Sequence, residues 1–378
     1  MRWEKRIASQ VITWLASLFP AAALLVLVAA LHVPPAAAEK PAPEGGFSFL
    51  PLPVLFYTPE THLGGGAALL VIHRPEDRPE AHRPSQIAVL LVHTEKKQTQ
   101  IVVKADLFLR EDDWRFLAEA QYENYPDLFY GIGRNSRAEE EETYTQRGPT
   151  VLFGVRRRLA EGLYAGPRFS FMDVDVRDAE EGGAIAEGAV DGGGGAKTAT
   201  IGFGFGWDRR NHPFLPDGGF LLQGTADFGD RRTGSDFAYN AFALDGRAFF
   251  PGFGGDHSIG AHLLFEASTG SPPFQLLYGL GDESILRGYH GRRYVDRMKA
   301  ALQAEYRLPL TGRLGAVLYG GAGDVVRDPG DFKRSKFKHG FGFGFRYDVK
   351  PEERLRLRLD IAYGADESGV YVNFGEAF

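Results

Sequence analysis

The chain has 378 residues, a net charge of -6 and no cysteine. The missing cysteine excludes disulfides, thiolate chemistry and cysteine-bound metal sites, and the negative charge gives no general reason to expect nucleic-acid binding. The sequence contains 48 Gly, 29 Phe and 15 Tyr but only 3 Met, a composition typical of one large β architecture such as a barrel. A mean hydropathy of -0.22 is compatible with a membrane barrel, because only alternate strand residues face lipid.

The first segment, residues 1–38, is predicted to be a signal peptide. Basic residues open it, Ala21–Leu31 is almost entirely apolar, and a small-x-small cleavage site ends at Ala38. The alternative is an uncleaved signal anchor, although the apolar core is shorter than the ~20 residues of a spanning helix. A short periplasmic arm, residues 39–46, then precedes the predicted outer-membrane barrel domain, residues 47–378.

Many segments after residue 48 alternate with period two. Aromatic residues alternate with Gly or Arg over 340–347, and aliphatic residues alternate with Arg or Asp over 354–361. A strand with one apolar face and one face of glycine or charge suits a barrel whose outside meets lipid. About sixteen strands are predicted, an even number as a closed bacterial barrel requires. They span residues 49–57, 63–73, 85–93, 98–109, 114–125, 143–158, 162–176, 197–208, 219–228, 237–250, 257–269, 297–310, 314–326, 338–348, 354–362 and 369–378.

The connections between these strands alternate in length. If both termini are periplasmic, the short turns lie on the periplasmic side and the longer loops outside, as in outer-membrane barrels. The longer outer loops are expected at residues 126–142, 177–196, 270–296 and 327–337. The second of these loops contains the acidic, glycine-rich run 178–195, which predicts a mobile loop tip.

Several motifs carry a family resemblance. Leu286-Arg287-Gly288-Tyr289 precedes the strand segment 303–310 (Gln-Ala-Glu-Tyr-Arg-Leu-Pro-Leu), the turn 207–219 is rich in Asp, Pro and Gly, and the chain stops on a Phe. These features resemble the outer-membrane assembly and translocation superfamily of BamA/TamA-like (bacterial surface antigen) proteins and two-partner secretion transporters. The fold expected is therefore an all-β transmembrane antiparallel barrel of about 16 strands, with a lumen-inserted loop between the eleventh and twelfth strands.

The resemblance implies that the Arg-Gly-Tyr loop folds back into the barrel and that Arg287 meets acidic groups on the wall. Period two leaves Gln303 and Glu305 facing inward, so Glu305 is the expected bidentate partner. Asp296 is expected as a second acid at the base of the loop. Relatives usually carry an Asp on the next strand, where this chain has Gly321. The alternative to a functional contact is a contact that only pins a plug and fixes the barrel shape.

The end of the chain resembles a C-terminal insertion signal. Val372, Phe374 and the terminal Phe378 would form a last strand that the β-barrel assembly machinery recognises, which makes this chain a client of that machinery. Glu376 departs from the pattern, because an apolar residue is usual there.

The resemblance further implies an outer-membrane location in a Gram-negative-type bacterium and a role in inserting or translocating proteins or lipids. In the family the first and last strands part laterally, and here 49–57 would meet 369–378. Expected partners are outer-membrane lipids, the assembly machinery, unfolded barrel or secreted clients, and a separate periplasmic partner. Residues 39–46 are too short for the periplasmic modules that relatives usually carry, and the sequence leaves open whether a separate protein supplies them. The alternative is a plugged channel or a structural barrel without assembly activity.

Motifs for catalysis do not stand out in the sequence. There is no nucleophile elbow, P-loop or HExxH motif, so the chain is predicted to be no enzyme and to bind no cofactor or metal. His257, Ser258, His262 and Ser268 share one predicted strand, but they form no recognisable catalytic arrangement. The run Glu139–Glu142 is interpreted as a solvated loop.

Overall fold

The computed structural model describes residues 46–58, 61–74, 84–212, 215–350, 355–365 and 367–378. The predicted signal peptide and residues 39–45 of the predicted periplasmic arm lie outside the described residues. Residues from Phe47 to Phe378 form one compact unit. No helix in the described part of the chain is long and apolar enough to cross a membrane.

Sixteen antiparallel strands form a closed barrel. Their bounds are β1 (Gly46–Thr58), β2 (His62–Arg74), β3 (Ser85–Thr94), β4 (Thr99–Leu109), β5 (Trp114–Phe129), β6 (Glu142–Ala160), β7 (Leu163–Arg177), β8 (Gly195–Asp208), β9 (Gly219–Gly229), β10 (Tyr239–Pro251), β11 (Ser258–Gly270), β14 (Met298–Thr311), β15 (Leu314–Val326), β16 (Lys338–Lys350), β17 (Leu355–Tyr363) and β18 (Ser368–Phe374). A separate hairpin, β12 (Tyr278–Leu280) with β13 (Tyr294–Asp296), lies between β11 and β14. Short 3₁₀ turns occupy Ala138–Glu140, Phe274–Leu276, Pro329–Asp331 and Arg334–Lys336.

The predicted closed barrel and its strand number are confirmed. Each barrel strand overlaps its predicted segment, with ends displaced by a few residues. Two features of the strands differ from the prediction. The hairpin of β12 and β13 was not predicted, because three-residue strands are too short to establish a period. The last strand ends at Phe374 rather than at Phe378.

The two faces of the strands differ as a membrane barrel requires. On the outer face, Phe203 is 52% exposed, Leu302 54% and Phe341 62%. On the opposite face, Gln303 and Glu305 are each 1% exposed. Neighbouring residues of one strand therefore divide cleanly between an apolar outside, which suits lipid, and a polar inside.

The barrel closes where β1 meets β18, with Tyr57 opposite Val372. Val372, predicted as part of the insertion signal, is 8% exposed. Pro51 and Pro53 both lie within β1 and have no N–H group to donate to a neighbouring strand. This junction is called the seam below.

Residues from several loops and strand ends pack together at one end of the barrel. Ile185 is 2% exposed and packs against Phe274 and Val295 of the loop between β11 and β14, and against Phe129 of β5. The expectation of a mobile tip over 178–195 is therefore wrong for its middle part. The acidic and glycine-rich composition of the run led to that expectation, whereas the apolar side chain of Ile185 holds the middle of the run against neighbouring residues.

Candidate functional site: a buried arginine network

Arg287 lies between β12 and β13 and is fully buried. One guanidinium nitrogen donates to Glu305 on β14 and another to Asp360 on β17. The guanidinium carbon lies 3.5 Å from the ring centroid of Tyr319 on β15. Burial lowers the pKa of Arg287, but Glu305 and Asp360 raise it above its ordinary value. One charged side chain therefore joins the loop to three strands, as the planar fork of arginine permits.

The backbone beside Arg287 is also bonded to the wall. The Leu286 N–H donates to Gln303 Oε1 at 3.0 Å, and Gln303 Nε2 donates to the Ser284 carbonyl at 3.0 Å. The Gly288 N–H donates to Tyr371 Oη at 3.1 Å. Because Tyr371 lies on β18, the loop contacts the strand that borders the seam.

Gly288 is required at its position for two reasons. Its φ of 107° falls in the left-handed region, and a Cβ there would lie 2.7 Å from the Gly364 nitrogen. The next residue, Tyr289, is 2% exposed. Its hydroxyl donates to the His339 carbonyl at 2.8 Å and accepts from the Ala365 N–H at 3.0 Å. The Arg-Gly-Tyr motif thus contacts the wall along its whole length.

The second acid that contacts Arg287 is Asp360, whereas Asp296 lies at the base of the loop, as expected, and is bonded elsewhere. Asp296 is the last residue of β13, and its Oδ1 accepts from the Arg297 N–H at 2.8 Å. Gly321 lies opposite Gln303, and a Cβ at that glycine would lie 2.7 Å from a backbone carbonyl oxygen. The missing Asp on β15 is thus matched by an acid two strands further along the barrel.

The network continues from Asp360 toward the end of the chain. Arg346 donates to Asp360 Oδ1 at 2.6 Å and to Glu376 Oε2 at 2.7 Å. Arg356 donates to the other oxygen of Glu376 at 2.8 Å. Burial raises the pKa of Glu376, but Arg346, Arg307 and Arg356 lower it to about 2. The residue that did not fit the insertion signal is therefore a charged member of the network.

The last four residues, 375–378, are called the C-terminal tail. Phe374 ends β18, and Gly375 follows with a φ of 85°, a conformation that turns the chain out of the strand. The Phe378 ring lies 5.0 Å from the His262 ring, between centroids, and Arg307 donates to the Phe378 carbonyl at 3.1 Å. Phe378, at 6% exposure, therefore packs on inward residues of other strands. The predicted last strand running to Phe378 is corrected accordingly.

Tyr319, Arg346, Asp360 and Tyr371 belong to the network but were not among the predicted site residues. Alternation along 354–361 did mark Asp360 as an inward residue. Alternation alone could not reveal that one loop residue contacts both β14 and β17, because β15 and β16 separate these two strands in the barrel. That the loop closes the lumen stays a prediction.

Comparisons with known proteins bear on the whole barrel. A model of the Omp85 superfamily domain matches residues 97–378. The fold is similar to BamA from Haemophilus ducreyi lacking POTRA domains 1–3, with a TM-score of 0.61 and 12% identity over 88% of this chain and 70% of that one. It is also similar to CdiB from Acinetobacter baumannii, with a TM-score of 0.55 and 11% identity over 87% of this chain. The match covers 60% of CdiB, less than two-thirds of its length. No curated protein matches.

Proposed function

The chain belongs to the Omp85 superfamily as an outer-membrane β-barrel, and on this basis we propose that it assists the insertion or translocation of other proteins, or of lipids, at the outer membrane. The observation that supports the proposal is the buried network. It fastens the loop between β11 and β14 to β17 and β18, which are the strands that lead into the seam. A loop so placed can control whether those strands part.

The seam supplies the surface on which a client strand would act. Parting of β1 from β18 exposes one edge of each strand, and a client strand can pair with such an edge by β-augmentation. Pro51 and Pro53 reduce the number of hydrogen bonds that β1 can donate. An opened seam would therefore offer two strand edges to a client, although the β1 edge has no donor at Pro51 or Pro53.

The loop between β11 and β14 stabilises the closed state of the seam. Arg287 holds β17 through Asp360, and the Gly288 N–H holds β18 through Tyr371. Both contacts are buried, where a charge or donor that loses its partner is costly. Withdrawal of the loop would release β17 and β18 together, so loop position and seam opening are coupled.

The direct test measures the folding rate of an unfolded outer-membrane client in liposomes that contain the purified barrel. Arg287→Ala is compared with wild type and with Arg247→Ala, which breaks a different inward ion pair, that with Asp245. We expect wild type and Arg247→Ala to accelerate client folding and Arg287→Ala to change the rate at least several-fold while remaining folded. Equal rates for all three would refute control by the loop, and no acceleration by wild type would refute the assembly function.

The seam can be locked in the same assay. Tyr57 lies opposite Val372, and the chain has no native cysteine, so Tyr57→Cys with Val372→Cys can form a single intramolecular disulfide. Client folding should slow on oxidation and recover on reduction. Acceleration that survives complete oxidation would exclude parting of these two strands.

A plugged channel or structural barrel is the second candidate. The extent of the buried contacts that hold the loop favours it, because a permanently fixed loop would obstruct the lumen without any client. Single-channel conductance of wild type is compared with a variant whose residues 272–296 are replaced by a short Gly-Ser turn. A large rise in conductance together with unchanged, negligible client folding would favour the channel.

A further inference from the structure

Another inward arginine, Arg156 on β6, differs from those of the network. It is 8% exposed, yet its guanidinium group makes no hydrogen bond or ion pair with any side chain that the structure describes. A buried guanidinium normally has a carboxylate partner, because desolvation of an unpaired charge is costly. Arg156 therefore presents a binding capacity that the chain itself leaves unused.

Glycines make room for this guanidinium against the wall. A Cβ at Gly204 would lie 2.9 Å from Nη2 of Arg156, and a Cβ at Gly206 would lie 3.1 Å from Nη1. Both glycines belong to β8, two strands away from β6. The arginine thus reaches across β7 and lies along a bare backbone surface on β8.

The charges around Arg156 are those of two neighbouring ion pairs. Arg115 lies directly opposite it across β5 and β6, and both carboxylate oxygens of Asp106 accept from Arg115 at 2.7 Å. Arg168 pairs with Asp227 at 3.3 Å. Three guanidinium groups therefore lie close together, and the carboxylates of Asp106 and Asp227 are already paired with Arg115 and Arg168. Like charges placed directly opposite are unfavourable, and a bound anion would relieve this repulsion.

We propose that Arg156 is an oxyanion-binding site on the barrel wall, and that its ligand carries a phosphate group. The guanidinium fork can donate to two oxygens of one phosphate group. Arg115 and Arg168 add positive charge nearby while they remain paired with Asp106 and Asp227. The site is separate from the Arg287 network, and it serves an anion held in or moving through the lumen. Nothing in it depends on assembly activity.

The test measures binding of inorganic phosphate to the purified barrel in detergent by isothermal titration calorimetry. Arg156→Gln removes the proposed binding group. The control, Arg157→Gln, removes one positive charge from the exposed neighbour, whose guanidinium carbon lies 6.0 Å from the centroid of the Trp114 ring. Arg156→Gln should weaken binding by about tenfold or more, as expected for losing charge-assisted hydrogen bonds, while Arg157→Gln matches wild type. Arg156→Lys, which keeps the charge but lacks the fork, should weaken binding less.

Three results would overturn the proposal. They are the absence of saturable phosphate binding by wild type, unchanged affinity in both Arg156 variants, and an equal loss in the Arg157→Gln control. Heat-modifiable migration in gels verifies that each variant is folded, and Arg156→Lys replaces Arg156→Gln if the latter does not fold. Competition then identifies the source of the phosphate group. Displacement by glycerol phosphate indicates a free phosphate compound, whereas displacement only by phosphatidic acid indicates a lipid headgroup.

Discussion

Removing the Arg287 guanidinium should destabilise the barrel more than removing any partly exposed ion pair on its wall. The side chains of Arg287, Glu305 and Asp360 are all 0% exposed, so Arg287→Ala leaves two buried carboxylates with less compensation. Breaking a buried ion pair costs about 3–5 kcal/mol. Glu305 keeps Arg307 and Asp360 keeps Arg346, so the loss of unfolding free energy should lie near the lower limit, about 3 kcal/mol.

The assay is urea unfolding in detergent micelles, followed by tryptophan fluorescence and by gel migration. Arg247→Ala is the matched control, because Arg247 and Asp245 are 26% and 22% exposed. It should lower the unfolding free energy by about 1 kcal/mol or less. A loss for Arg287→Ala no larger than that of the control would refute the reasoning, because it would mean that the buried carboxylates are solvated or neutralised by other groups.

A double-mutant cycle separates the pair from general effects of substitution. Arg287→Met removes a cation that Glu305 and Asp360 share, and Glu305→Gln removes one of the two anions bonded to Arg287, whereas the double variant removes both charges of the pair. The double variant should be less destabilised than the sum of the single variants by about 1 kcal/mol or more, as expected for residues in direct contact. Additive losses would show that the contact between Arg287 and Glu305 contributes nothing specific.

Two further predictions concern the two ends of the network. Gly288→Ala should destabilise the folded barrel by about 1–3 kcal/mol, because its φ of 107° and the nearby Gly364 nitrogen leave no place for a Cβ; a urea midpoint equal to that of wild type would contradict this. Glu376→Gln should reduce stability at neutral pH. Since the folded-state pKa of Glu376 is about 2 and thus below its ordinary value, the difference from wild type should persist above about pH 4.5 and shrink as the pH falls toward 2. A difference that stays constant over that range in pH-dependent unfolding would exclude an ionic role for Glu376.

The strands could be predicted from the sequence because the outer face of a barrel must be apolar at every second residue. The same rule placed Gln303 and Glu305 on the inward face of β14, where Arg287 contacts Glu305. Asp360 was also assigned to an inward face, but its partner depends on the path of a loop from a distant part of the chain. Periodicity shows whether a side chain faces the lumen or the lipid. It does not show which loop residue contacts that side chain.

The end of the chain shows where the period itself breaks down. Continuing the alternation of β18 through residue 378 assigns Glu376 to the lipid-facing side, which is unfavourable for a carboxylate. The structure removes the conflict because Gly375, with a φ of 85°, turns the tail and brings Glu376 to Arg346 and Arg356. The charged residue after a glycine was the signal that the strand stops early.

The position of the C-terminal tail has a consequence for the order of events during biogenesis. Phe378 is enclosed among His262, Phe249 and Arg307 in the finished barrel, so a factor that recognises this residue can do so only while the barrel is incomplete. If the β-barrel assembly machinery recognises Phe378, as the sequence predicts, that recognition must precede the enclosure of this side chain. Transfer of Phe378 from such a factor to its contacts with Arg307 and His262 would then coincide with release of the folded barrel.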